Sequence, residues 1–241
     1  MSRARLRQLT GELHALADPV RAEGVARFFK TGPGDYGEGD RFLGLTTPQI
    51  RRLARAHRGL PLADVLALLR SEWHEARALA LLLLIDAHDR APAAERRRIL
   101  DAYLANTERV DNWDLVDVSA ASLVGPHVGP DDLALLDRLA ASASLWERRI
   151  AMVATHHHIR AGELRPALHV AERLLGDRHD LIHKAVGWML REAWKRDPAA
   201  VETFLRRHYA RLPRTTLRYA IERLPAAARR SWLDGPVAAT A

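Results

Sequence analysis

Five segments of this chain share one pattern, a large apolar residue followed by two polar ones and then apolar positions at helical spacing. They begin at Trp73, Val110, Trp146, Ile182 and Leu217, so their first residues lie 37, 36, 36 and 35 apart. A period near 36 corresponds to one helix pair per repeat. Such a pair cannot bury its apolar face alone and must stack on its neighbours. Four consecutive intervals that agree this closely are hard to reach by accident. The repeat restricts the fold to a side-by-side stack of helices.

The rest of the chain reads the same way. Leu, Ala, Arg and Glu dominate, apolar positions recur three and four apart, and no stretch alternates like a half-buried strand. Prolines punctuate it at Pro19, Pro61, Pro92, Pro126, Pro130, Pro198, Pro213 and Pro225. Proline fits the first turn of a helix and breaks its interior, so these positions predict helix starts. Tetratricopeptide and ankyrin signatures are absent, and HEAT-like pairs, which are defined by packing more than by motif, fit better. The expected fold is all-α: a HEAT-like α-solenoid of stacked antiparallel helix pairs. Its expected organisation is a single domain, with N-terminal helices and a Gly-rich loop over 1–46, repeats over 47–232 and a flexible tail over 233–241.

Composition narrows the chemistry. There is no cysteine among the 241 residues, which excludes disulfides, thiol nucleophiles and cysteine-ligated metals and fits a reducing, cytoplasmic setting. The longest apolar run, Ala78 to Ile85, is too short for a bilayer, and the opening residues lack the apolar core of a signal peptide. The formal net charge is +7. The stretch from Ser144 to Trp232 holds 18 basic and 9 acidic residues, while the remainder holds 19 and 21. The basic excess therefore lies in the C-terminal third and points to phosphate-bearing or other acidic partners.

Aligning the repeats isolates the residues that stacking does not explain. Positions three and seven of each segment lie one turn apart on one helix face. They are Ala76 and Ala80 in the first repeat, but Trp113 and Asp117 in the second; position three of the third repeat is Arg149. Trp188 lies near the same register in the fourth. Asp111 and Asp114 are explained as cap and first-turn acid. Asp117 lies past the first turn between Val116 and Val118, where a carboxylate needs a partner or a task. Arg149 has a structural reading as its ion-pair partner, and either tryptophan could be a core residue. His156, His157 and His158 cannot converge on one metal, because consecutive helical residues point about 100° apart. The loop from Thr31 to Asp40, with four glycines and one proline, lacks a phosphate-loop ending and reads as a connector.

The stretches Asn112-Trp113-Asp114-Leu115-Val116-Asp117, Leu145-Trp146-Glu147-Arg148-Arg149 and Lys184 to Glu192 resemble the HEAT-repeat DNA alkylation-repair glycosylases, the AlkD family. The resemblance spans roughly Phe28 to Trp232. It implies a monomeric base-excision-repair enzyme that needs no cofactor or metal. Its partner would be double-stranded DNA, held on the concave, basic face of the solenoid and containing N3- or N7-alkylated purines, whose N-glycosidic bond it would hydrolyse, without base flipping. Carried over, Asp117 matches the catalytic aspartate. Trp113 and Trp188 match the aromatic pair beside the deoxyribose, and Arg149 the arginine at the adjacent backbone. Lys184 and Arg191 fall within the third matching stretch, and Thr47 and Arg51 match a DNA-proximal segment. The alternatives are a non-catalytic HEAT scaffold binding DNA or protein, which would not need Asp117, and an RNA-directed or inactive relative.

Overall fold

Pro19 opens the second helix behind Asp18, whose carboxylate accepts from the Arg21 backbone N–H at 3.0 Å. The same device starts a later helix at Asp197 and Pro198. Pro61, Pro92, Pro213 and Pro225 are each the residue immediately before a helix, whereas Pro126 lies in a short 3₁₀ turn. Proline punctuation thus marks the helix starts, as its fixed φ and missing N–H require. The computed structural model describes residues 2–129 and 131–235, so Pro130 and most of the expected tail lie outside the described residues. Leu233 and Asp234 are helical rather than part of a tail.

The chain divides into two compact units, 1–119 and 120–241. The first contains α1 (Ser2–Ala15), α2 (Pro19–Phe28), α3 (Thr47–Ala56), α4 (Leu62–Leu69), α5 (His74–Arg90) and α6 (Ala93–Leu104). It also holds the start of α7 (Trp113–Leu123). Helix α5 packs against α3, α4 and α6. Leu79, Leu81 and Leu84 on it are fully buried, as expected where the apolar run from Ala78 to Ile85 covers every face of the helix. Tyr103 is also fully buried, with its hydroxyl 3.0 Å from Ser119 Oγ, and burial raises its phenol pKa.

The second unit contains α8 (Ala134–Ala140), α9 (Leu145–Ala154), α10 (His156–Ala161), α11 (Arg165–Leu174), α12 (Asp180–Trp194), α13 (Pro198–His208), α14 (Arg214–Ala220) and α15 (Ala226–Asp234). Helix α12 is its hub, packing on α9, α11, α13 and α14. Its contact with α14 is close because of Gly187: a Cβ there would lie 2.4 Å from Tyr219 Cβ and 2.6 Å from the Thr216 carbonyl. The five repeat segments fall at the starts of α5, α7, α9, α12 and α14. Val110, Ile182 and Leu217 are buried as the pattern demands; Trp73 instead precedes α5 and stacks under the Arg41 guanidinium. The architecture is an all-α, repeat-like arrangement of packed helices, as an α-solenoid requires, with no strand among the described residues.

Candidate active site

Helix α7 begins at Trp113, and one turn later on the same face stands Asp117. Both are half-buried and line a cavity of about 530 Å³ in the first unit. Thr47 and Arg51, a turn apart at the start of α3, line it too, so four of the site residues expected from sequence meet here. The α3 start is fixed by a reciprocal cap in which the Thr46 N–H donates to Gln49 Oε1 at 2.7 Å. Arg51, Arg52 and Arg55 on this helix are exposed. The first unit therefore offers local cations despite the C-terminal bias of the total charge.

The wall of the cavity is an aromatic stack that the sequence did not reveal. Phe29 stacks on Trp113 and on Phe42, with ring centroids 5.1 Å apart in each case. Phe42 in turn stacks on the His74 imidazole at 4.5 Å. His74 is buried and bonded at both nitrogens: Nδ1 lies 2.7 Å from Asp40 Oδ2, and Nε2 lies 2.8 Å from Asp114 Oδ2. Burial opposes its charge, but the hydrogen bonds to Asp114 and Asp40 outweigh burial and raise its pKa to about 9. It is an imidazolium at neutral pH.

Asp40 collects three donors, from His74, from Arg77 Nη2 at 2.7 Å and from Asn112 Nδ2 at 3.1 Å. Burial raises its pKa, but His74 and Arg77 more than reverse that and hold the carboxyl below its ordinary range. Arg77 also lies 3.2 Å from Asp111 Oδ1, without hydrogen-bond geometry. Asp111 and Asp114 are therefore more than helix-start acids: each balances a buried cation on α5. The Gly-rich loop is also more than a connector, because its last residue is Asp40. Its course is pinned where the Gly37 N–H donates to the Lys30 carbonyl at 3.2 Å. Only glycine fits there, since a Cβ would lie 2.5 Å from the Phe29 carbonyl.

Three carboxylates line the cavity, and their surroundings separate them. Glu75 is 3% exposed and accepts from the backbone N–H groups of Leu43, Gly44 and Leu45 at 2.9, 2.7 and 3.1 Å. Asp114 holds His74. Asp117 is half-buried on the Trp113 face, with Val118 beside it in the lining.

The remaining candidates lie in the second unit. Arg149, on α9, is 5% exposed, and its Nη1 donates to the Leu181 carbonyl at 2.6 Å, tying α9 to the first turn of α12. Lys184 pairs with Asp180 at 2.8 Å, and Arg191 pairs with Glu222. Trp188 is half-buried, with its ring 5.9 Å from that of His156. Burial, reinforced by Arg160, lowers the His156 pKa, so a neutral imidazole faces the indole. The three consecutive histidines diverge as helical geometry dictates. His158 Nε2 lies 2.8 Å from the Val128 carbonyl, and His157 packs where Gly125 leaves room.

Comparison with known proteins agrees with this architecture. The profile of the DNA alkylation repair enzyme family matches residues 9–224. This chain belongs to that family. No curated protein sequence matches it significantly. A solved structure described as a predicted DNA alkylation repair enzyme from Enterococcus faecalis is 18% identical, covering 87% of this chain and 97% of its own, with a TM-score of 0.67. At that identity the likeness establishes the shared fold. The DNA alkylation repair assignment rests on the profile.

Proposed function

We propose that this family member is a DNA glycosylase that hydrolyses the N-glycosidic bond of cationic N3- and N7-alkylated purines in duplex DNA. The observation that carries the reading is the meeting of Asp117 and Trp113 in one cavity with Thr47 and Arg51. Alkylation at N3 or N7 gives the base a positive charge, so the bond to C1′ is already weakened and the base leaves without an added proton. The bonding pair goes with the base and neutralises it, and positive charge develops on the sugar. Asp117 stabilises that charge and takes a proton from the water that bonds to C1′. The Trp113 ring face adds attraction for the cation, worth about 0.5–2 kcal/mol depending on desolvation.

Arg149, Lys184, Arg191, Thr47 and Arg51 act on the phosphodiester backbone, which positions the duplex without reading sequence. In this reading the monomer acts on the lesion within the stack rather than on an extruded base. The rival reading, a non-catalytic scaffold, keeps the helices and the positive charge but has no use for Asp117. Incubation with a duplex containing 7-methylguanine distinguishes them: free base and alkali-labile abasic sites are expected. Duplex binding without base release would establish the scaffold.

A further inference from the structure

The start of α7 is tied at three neighbouring residues. Asn112 is fully buried; its Oδ1 accepts from the Trp113 N–H at 2.9 Å, and its Nδ2 donates to Asp40 Oδ2 at 3.1 Å. Arg77 Nη2 lies 3.2 Å from Asp111 Oδ1. Inside the first turn, Asp114 Oδ2 lies 2.8 Å from His74 Nε2. The first two ties fix where the helix begins, and the third fixes its rotation. Successive helical residues point about 100° apart, so holding Asp114 on one side aims Trp113 and Asp117 together at the cavity.

His74 is the joint of this arrangement. Its two ring nitrogens lie 2.7 Å and 2.8 Å from carboxylate oxygens of Asp40 and Asp114. A neutral imidazole has one N–H and one lone pair, so only the cation donates to both. Without the extra proton, one nitrogen would turn a lone pair on a carboxylate. Among the described residues, the charged groups around His74 are carboxylates in the majority. Asp40 lies on the loop, Glu75 on α5, Asp111 before α7, and Asp114 and Asp117 on it. The cations are Arg77 on α5, Arg21 on α2 and Arg51 on α3. The His74 ring also stacks on Phe42, and Phe29 continues that stack to Trp113. The imidazolium therefore steadies the cavity wall as well as the helix.

We propose that His74 is a positioning residue for base release: donating from both nitrogens, it holds the first turn of α7 in the rotation that presents Trp113 and Asp117 to the cavity, and its deprotonation sets the alkaline limit of the reaction. This rests on the reading that Asp117 stabilises the sugar cation. The sign follows from the hydrogen bonds. Burial lowers the His74 pKa, but Asp114 and Asp40 prevail and bring it to about 9. The hold is therefore complete at neutral pH and is lost as pH rises through about 9.

The test uses the full chain with His74→Gln, whose side chain offers donors at one end only, and with Asp114→Asn, which keeps an acceptor for Nε2 and loses one counter-charge. Single-turnover release of 7-methylguanine is followed between about pH 7 and pH 10, with enzyme-free duplex supplying the spontaneous rate at each pH. His74→Gln should release base roughly ten- to a hundred-fold more slowly at neutral pH, with no further alkaline fall. Its affinity for a duplex carrying a tetrahydrofuran abasic analogue should stay within about two-fold of wild type. In Asp114→Asn the alkaline fall should move down by about one pH unit or more, a shift that a purely structural role for His74 would not produce. The second readout is the ¹⁹F resonance of Trp113 in protein labelled with 5-fluorotryptophan, identified among the six tryptophans by its absence in Trp113→Phe. It should change as wild type passes through about pH 9, and should be displaced at every pH in His74→Gln.

A His74→Gln protein with the wild-type Trp113 resonance and the wild-type rate overturns the proposal. So does an alkaline limit that Asp114→Asn leaves in place, which also decides the matter if His74→Gln does not fold. Wild-type protein that releases no base at any pH defeats the reading of Asp117 instead. A Trp113 resonance that still follows His74 would then keep the positioning of α7.

Discussion

Asp114 and Asp117 stand three residues apart on α7, and their neighbours divide the work between them. Asp114 is a hydrogen-bond partner of the buried His74, so it holds structure. Asp117 lines the cavity beyond the capping turn, so it carries the chemistry in the proposed mechanism. Asp117→Asn should lower single-turnover release of 7-methylguanine by on the order of 10²-fold or more, with duplex affinity and melting temperature near wild type. Release at the wild-type rate would show that another group stabilises the sugar cation. His74 makes a different prediction. Its pKa is raised in the folded state, to about 9, by Asp114 and Asp40 against the opposing effect of burial. Its contribution is therefore fully present below the unfolded value of 6.5 and is lost as pH rises through about 9. Melting temperature should fall by roughly 5 °C between pH 7 and 10 beyond the fall in His74→Gln, which has no proton to lose. Parallel slopes in the two proteins would mean that the imidazolium does not hold α7 to the Gly-rich loop.

At the scale of elements, the candidate residues of the second unit depend on helix placement. Helix α12 presents Trp188, Lys184 and Arg191, and Gly187 sets its distance from α14. Gly187→Ala forces backbone apart at the Thr216 carbonyl and should destabilise the second unit by about 1–3 kcal/mol, seen as a melting temperature several degrees lower. A wild-type melting curve would mean that α14 yields without cost. Arg149 links α9 to the first turn of α12 as well as being a candidate for the DNA backbone. Arg149→Ala should lower melting temperature and duplex affinity together. Arg191, paired with Glu222 and partly exposed, should affect affinity and salt slope with little change in melting.

For the whole molecule, the proposed function makes charge decide both the partner and the lesion. The surplus over Ser144–Trp232 predicts duplex binding that weakens steeply with salt. In the proposed mechanism Asp117 and Trp113 favour a cation, and no acid is assigned to protonate a neutral leaving base. Cationic 7-methylguanine and 3-methyladenine should be released, whereas uracil and hypoxanthine should not. Gel assays on matched duplexes decide this, and efficient release of uracil or hypoxanthine would require a proton donor and a different mechanism.

Helix starts, the repeat and the pairing of Trp113 with Asp117 were legible in the sequence because each depends on residues a few positions apart. Proline geometry, side-chain caps and the i, i+4 relation act locally, and periodic apolar residues report the buried face of each helix. The support behind the site was not legible. Asp40 and His74 are 34 residues apart, and His74 and Asp114 are 40 apart. Nothing local distinguishes the buried His74, Glu75 and Arg77 from the exposed charges of an ordinary helix. The Gly-rich loop likewise looked like a connector because the value of Asp40 lies in what it meets. Burial of a charge becomes tolerable only when tertiary packing brings its counter-charge and hydrogen-bond donors to it, and that choice is made by contacts distant in the chain.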